Sequence, residues 1–286
     1  MNNMYVCNGK DNSISKINIE DMSFEKLYLG MNGRFNAPQD IDISIEGEVL
    51  VVANGYENTI SVLNMDEFKE IYCDYIGAKP VDAKIYENYA YILCNESNSI
   101  LLYDLKNRST ILTIPSGNCP QNIAMDKERK KLFVTNLLDN SVSIIDMNKN
   151  VNIDSIHTEK YPLRVKISKD KQFLFILESS LEENGEDYIS IYKLDDFSLV
   201  KKIKSGYIPI DIYEDTDYFY ILNIGDGTIN KIDLKNKLEE QTISIGGTPD
   251  KIERNNNSFF ITDCSNKKVH ILDEFLKKQK IITLGI

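Results

Sequence analysis

Apolar and polar positions alternate along most of the chain in short runs, and the runs repeat. LFVTNLLDNSVSIIDMNKN at 132–150 and LVVANGYENTISVLNMDEF at 50–68 show the unit. An apolar, β-branched run closes on Asn, a few turn-forming residues follow, and a second run closes on Asn or Asp. Alternation bounded by Asn, Asp, Gly and Ser predicts strands joined by tight hairpins, because Asn and Asp bond their own backbone and tolerate positive φ.

Runs of the first kind end at Asn8, Asn54, Asn95, Asn136, Glu178, Asn223 and Asp263. Each is followed by a run of the second kind, and six of the seven prolines (Pro38, Pro80, Pro120, Pro162, Pro209, Pro249) recur at a similar interval. Proline at the start of a strand removes a donor where no ladder bond need form, so each of these prolines is expected to open a further strand. Pro115 alone falls outside the spacing. No window sustains helical periodicity over three turns; the acidic stretch around Leu181 predicts a single turn at most.

Each period of about 41 residues therefore holds four strands: A after the proline, B ending at the marker Asn, C ending at Asn or Asp, and D leading to the next proline. Four strands in a repeat of this length predict an all-β, seven-bladed β-propeller of four-stranded antiparallel blades, a single domain over residues 1–286. LFVTNLLDNSVSIID, with the upstream G-x-x-P, resembles the YVTN-type β-propeller repeat over essentially the whole chain. That resemblance implies the fold; such propellers serve surface, binding and enzymatic roles. Only six A strands are present for seven B, C and D strands. The first blade is expected to be three-stranded, the alternative being that 280–286 (KIITLGI) leaves the seventh blade to complete it.

Composition narrows the class. With 33 Lys+Arg against 44 Asp+Glu the net charge is −11, a field that repels nucleic acid and anionic membrane. The start lacks a basic and apolar leader, so the expected location is cytoplasmic. Five cysteines without a CxxC fit a reducing compartment better than a disulfide framework or structural zinc.

Candidate chemistry sits on the face formed by the B–C and D–A loops. The second residue after each proline (Asp40, Asp82, Asn122, Arg164, Asp211, Lys251) is expected at the mouth of a central funnel. Three of these are carboxylates of the kind a divalent cation takes. The alternative, which we favour, is that Arg164 and Lys251 neutralise the acids and the ring only solvates the channel. The longest B–C loop carries Glu182, Glu183, Glu186 and Asp187, an acidic lobe read as a partner loop or as simply solvated. The marker residues are expected to bond the hairpin that follows them rather than a ligand. Cys7 and Cys94 read as packing residues before the marker, and Cys119 as the thiol most worth testing for reactivity. Tyr161, Tyr207 and Phe35 are candidates for an aromatic rim. No resident cofactor is implied.

Three functions follow from these features. The preferred one is a non-catalytic scaffold binding a protein or small ligand on the loop face. The second is a metal-dependent lactonase or lyase, with His157, Asp40, Asp82 and Asp211 as its constellation, and the third a structural repeat protein of a cell or spore surface.

Overall fold

The computed structural model describes residues 3–30, 37–44, 48–182, 185–234 and 239–285. It is all-β, with seven antiparallel sheets following one another along the chain as seven blades. Blade 1 has three strands, β1 (Asn3–Asn8), β2 (Ser13–Asn18) and β3 (Phe24–Tyr28). The other six have four each, in sequence order. Blade 2 is β4 (Pro38–Ile43), β5 (Val49–Asn54), β6 (Thr59–Asn64) and β7 (Lys69–Tyr75). Blade 3 is β8 (Pro80–Tyr86), β9 (Tyr89–Cys94), β10 (Ser99–Asp104) and β11 (Ser109–Pro115). Blade 4 is β12 (Pro120–Asp126), β13 (Lys131–Asn136), β14 (Ser141–Asp146) and β15 (Val151–His157). Blade 5 is β16 (Tyr161–Ile167), β17 (Phe173–Ser179), β18 (Tyr188–Lys193) and β19 (Leu199–Lys204). Blade 6 is β20 (Pro209–Glu214), β21 (Tyr218–Asn223), β22 (Thr228–Asp233) and β23 (Glu239–Ser244). Blade 7 is β24 (Lys251–Asn255), β25 (Ser258–Asp263), β26 (Lys268–Asp273) and β27 (Lys278–Thr283).

The seven blades and the three-stranded first blade follow the expectation. The last strand, β27, stays in blade 7, where His270 pairs with Ile281 and Val269 with Ile282. Proline opens β4, β8, β12 and β20, but Pro162 is second in β16 and Pro249 lies before β24. In five blades the register slips just after the proline: Pro38 faces Asn54 while Asp40 faces Ala53, and the same shift recurs at Pro80, Pro120, Pro162 and Pro209. A bulge there re-aims the residue after it, which is the position singled out in the sequence.

By packing, the chain groups into two compact units. One comprises Met1–Val6, Ile17–Phe24 and Glu159–Ile286, the other Cys7–Lys16 and Glu25–Thr158. Within each, the core lies between consecutive blades because both faces of an alternating strand are buried. In the second unit Val51, Ile60 and Val62 of blade 2 pack on Ile85, Ile92 and Tyr103 of blade 3. In the first, Phe175, Leu177 and Ile189 of blade 5 pack on Ile212, Phe219 and Ile221 of blade 6. Phe175 and Phe219 meet edge to face with centroids 5.0 Å apart.

Candidate functional site

In blades 3, 4 and 6 the B–C turn is bonded to the connection into the blade's own A strand, so the two stand at the same end. Asn95 and Glu96 donate their backbone N–H to the carbonyls of Lys79 and Ala78, and Leu137 and Leu138 donate to those of Cys119 and Asn118. Ile224 and Gly225 do the same with Ile208 and Tyr207. The last residue of the turn is left-handed, with φ between 48° and 58° at Asn12, Asn58, Asn98 and Asn140 and 63° at Gly227. Asn and Gly adopt that conformation at least cost. Three of these asparagines also reach the next blade. Asn58 Oδ1 accepts from the N–H of Lys79 at 2.7 Å, Asn98 Oδ1 from Cys119 at 2.9 Å and Asn12 Oδ1 from Ala37 at 3.2 Å.

The marker residues form a second repeated unit. Asn136 is fully buried, donates its amide to Ser141 Oγ at 3.1 Å and Ser143 Oγ at 2.8 Å, and accepts from the N–H of Gly117 at 3.0 Å. Asn8 and Asn54 make the same pair of bonds to hydroxyls five and seven residues on, and Asn223 makes it to Thr228 and Asn230. The marker thus bonds its own hairpin, as expected. Asn95 does not belong to the set. Pro80 faces Cys94 where Pro38 faces Asn54, so Cys94 holds the marker position and burial pushes its thiol up to about 12. Asn95 lies one residue later, in the turn, and donates to Pro120 O at 2.9 Å.

Glu178 and Asp263 occupy the marker place in blades 5 and 7. Glu178 is buried and accepts from Ser190 and from the N–H groups of Glu159 and Lys160. Asp263 accepts from Thr248 Oγ1 at 3.1 Å and from the Asn266 amide, and stands 3.7 Å from Nε2 of His270, which replaces the second hydroxyl. His270 is buried, and neither ring nitrogen has a hydrogen-bond partner. Burial lowers its pKa from the ordinary 6.5, Lys278 and Lys268 add to this, and Asp263 opposes it.

The positions read as a funnel are inner-strand residues engaged with neighbouring blades. In the unit of blades 2 to 4, Asp82 is buried and holds Lys84 Nζ at 2.5 Å, Asn122 Nδ2 at 2.6 Å and the N–H of Ile123 at 2.8 Å. Asp40 accepts from its neighbour Ile41 at 2.8 Å and lies 4.0 Å from Lys84. In the unit of blades 5 to 7, Asp211 is buried and holds Lys166 Nζ at 3.2 Å, the N–H of Ile212 at 2.9 Å and the N–H of Ile252 at 3.1 Å. Arg164 and Lys251 are half-buried on β16 and β24. Burial raises Asp82 above its usual range and Asp40 adds to this, while Lys84 opposes. Burial acts the same way on Asp211, but Lys166 and Arg164 outweigh it and hold the carboxyl below its ordinary value.

Asp40 and Asp82 thus share a lysine in one unit, and Asp211 has its own in the other. Among the described residues no group of three or more His, Cys, Asp or Glu side chains has the arrangement a metal ion needs. His157 is the exposed last residue of β15, the outermost strand of blade 4, whereas Asp40 and Asp82 are on inner strands of their blades. Asp211, the remaining member of the constellation read for an enzyme, belongs to the other unit.

The acidic lobe divides likewise. Asp187 is buried, accepting from Ser179 and Ser180 and from the N–H of Ile208 at 2.7 Å, so it ties the loop down instead of facing solvent. Glu186 is exposed, paired with Tyr188 and, at 3.1 Å, Lys204. Glu182 is exposed, and Glu183 lies outside the described residues. Tyr161 and Tyr207 are half-buried, and Phe35 also lies outside the described residues. Cys119 is half-buried, with the amides of Asn95 and Gln121 at 3.4 and 3.2 Å from its sulfur. What the sequence reading missed at this end are exposed apolar residues. Tyr56 in the blade 2 turn is 70% exposed, Tyr75 at the end of β7 73%, and Leu138 in the blade 4 turn 56%.

The solved structures with the same fold are distant in sequence. A functionally unknown protein from Desulfotomaculum acetoxidans DSM 771 superposes with a TM-score of 0.83 at 15% identity, over 100% of this chain and 96% of that one. Kuenenia stuttgartiensis hydrazine synthase gives 0.74 at 17% identity, over 86% of this chain and 80% of that one. The dihydro-heme d1 dehydrogenase NirN, in complex with DHE, gives 0.75 at 13% identity, over 99% of this chain and 64% of that one. At such identities the likeness shows the fold alone. No protein-family model matches the chain, and no curated protein does. No helix among the described residues is long and apolar enough to cross a membrane.

Proposed function

We propose that the chain is a non-catalytic β-propeller scaffold that binds a protein or small ligand at the B–C and D–A loop end of its blades. The observation that carries this reading is the distribution of side chains between the inner strands and that end. Asp82 and Asp211 of the inner strands are engaged with lysines and with neighbouring backbone, and among the described residues no metal-ligand cluster stands. At the loop end of blades 2 and 4, Tyr56, Tyr75 and Leu138 expose large apolar surface, with the blade 2 turn bonded through Asn58 to the N–H of Lys79 and the blade 4 turn through Asp139 to the N–H of Asn118. Aromatic side chains held on a rigid frame lose little entropy on binding, which suits recognition. The resemblance to YVTN-type repeats agrees with a scaffold role.

Photo-crosslinking in the native host tests the reading. A benzophenone side chain at position 56 or 138 should give a discrete adduct, and one at Asn107, in the C–D turn at the opposite end of blade 3, should not. Equal labelling from both ends, or none from the loop end, would overturn it.

A further inference from the structure

The strand that closes on the marker lies between two others in blades 2 to 7, whereas β1 is the edge of its sheet and, among the described residues, pairs only with β2. Its sequence, NMYVCN, carries none of the charges that keep a sheet edge from pairing. β1 is buried only at Val6, Cys7 and Asn8, and Met4 and Tyr5 are half-buried where the corresponding Leu50 and Val51 of blade 2 are fully buried. Blade 2 registers the same gap. At Ala83, Ile123, Ile212 and Ile252, each three residues after its proline, the aliphatic side chain packs on the preceding blade and is no more than 1% exposed. Ile41, whose preceding blade is blade 1, is half-buried. Its backbone differs too. Ile123 and Ile252 give their N–H to an acid of the preceding inner strand, but the N–H of Ile41 is capped by its own neighbour Asp40 at 2.8 Å. Ile212 is capped in the same way by Asp211, and there the preceding inner strand offers Arg164, which has no acceptor to give.

We propose that blade 1 takes up an extended segment of a partner protein along the inner side of β1, antiparallel to it, with the sequence P-x-D-φ-x-φ in which φ is aliphatic. The chain's own inner strands define that chemistry. In their register the proline of the segment stands opposite Asn8, its acid opposite Cys7 and its first φ opposite Val6, as Pro38, Asp40 and Ile41 stand opposite Asn54, Ala53 and Val52. The added strand pairs with the backbone of β1 and covers Met4 and Tyr5, and its acid takes the N–H of Ile41 as Asp82 takes that of Ile123. Among the described residues no strand is left over to fill the place. The last strand, β27, is held in blade 7 by the pairing of Val269 with Ile282, and every inner strand, in this copy as in a second one, is paired within its own blade. The segment therefore comes from a different protein. This site adds to the loop-end site proposed above and does not rest on it.

Titration of the purified chain with the acetylated, amidated peptide GSSPVDIAIS, read by hydrogen exchange, tests the proposal without any variant of the protein. With peptide up to about 1 mM, the range of a weak single-strand interface, the β1 amides that do not pair with β2 should slow by about tenfold or more, with β3 of the same blade unchanged. A scrambled peptide of the same composition should leave β1 as it was. So should GSSPVDDAIS, in which an acid replaces the first aliphatic residue. No slowing in β1, equal slowing by the scrambled peptide, or slowing in the inner strand of another blade instead would each overturn the proposal. Slowing in β1 that grows with the concentration of the chain alone would assign the edge to a second copy and overturn it as well.

Discussion

The buried carboxylate of Asp82 on β8 accepts a hydrogen bond from the backbone N–H of Ile123 on β12 at 2.8 Å, joining the inner strands of consecutive blades. Asp211 does the same for Ile252 one pair of blades from the chain's end, and Asp42 for Ile85. Asp82 and Asp211, the acids after their prolines, are thus latches, whereas in blade 2 Asp42 takes that part and Asp40 bonds its own neighbour Ile41. In Asp82→Ala the Ile123 N–H, the Asn122 amide and the Lys84 ammonium would each lose the Asp82 acceptor, although Lys84 keeps Ala83 O. Breaking a buried pair from one side costs about 3–5 kcal/mol, and a drop of that size in urea unfolding is expected. A loss under about 1 kcal/mol would return Asp82 to the list of residues spared for a ligand.

The marker asparagines should matter to stability and Asn95 should not. Asn136→Ala strands two buried hydroxyls and the Gly117 N–H, and each unsatisfied group costs about 1–3 kcal/mol. A loss of about 3 kcal/mol is expected in denaturant titration. Asn95→Ala removes one half-buried bond to Pro120 O and should cost no more than about 1 kcal/mol. Equal losses would mean that the two asparagines are equivalent after all.

The glycine of G-x-x-P owes its place to the marker. A Cβ on Gly117 would lie 2.6 Å from Cγ of Asn136, and one on Gly206 2.6 Å from Nδ2 of Asn223. Each marker is locked by two side-chain partners on the following strand and has nowhere to go. Gly117→Ala should destabilise by roughly 2 kcal/mol, in the range of overpacked sites. Gly246→Ala meets nothing within 4 Å and carries only the strain of φ +71°, about 1–2 kcal/mol. Thermal melts of the two variants separate clash from strain, and Gly117→Ala, Asn136→Ala together should recover part of the Gly117→Ala loss.

The blade count, the hairpins and the short first blade were legible because each is a local pattern written seven times, and a strand of period two has few other ways to bury both faces. The bonds between blades were not legible in the same way. Asp82 meets Ile123 forty-one residues on, and a carboxylate that latches a neighbour looks the same in sequence as one awaiting a cation. The bulge after the proline turned that side chain, and P-x-D recurring in blades 2, 3 and 6 was its only trace. Asn95 misled because blade 3 puts Cys94 at the marker and an Asn directly after it; the four-residue step from Asn to the left-handed turn residue, 8 to 12, 54 to 58 and 136 to 140, becomes 94 to 98 here and would have shown the shift. The strand position of His157 left no trace in the sequence, because strand ends are set by ladder pairing, here with Ser141, and not by the residue itself.

Blade 7 predicts a pH dependence. His270 is buried beside Asp263 with both ring nitrogens unbonded, and its pKa is lowered from 6.5 by burial first and by Lys278 next. A histidine whose folded pKa lies below its unfolded value binds its proton more readily in the unfolded chain. Its contribution to stability is therefore complete above about pH 6.5 and is lost as pH falls below that value toward the folded pKa, by at most about 1.4 kcal/mol per pH unit. His270→Ser, which places there the residue found at the same point in blades 1, 2 and 4, should flatten the fall in unfolding free energy between pH 7.5 and 5.5. Asp263→Asn combined with His270→Ser rebuilds the marker pair of those blades and should unfold at higher denaturant than His270→Ser alone, since a buried neutral amide costs less desolvation than a buried carboxylate while still bonding the new hydroxyl. Urea titrations at the two pH values check both points. An unchanged pH dependence in His270→Ser would mean that the imidazole keeps an ordinary pKa through contact with water or with a partner that compensates its burial.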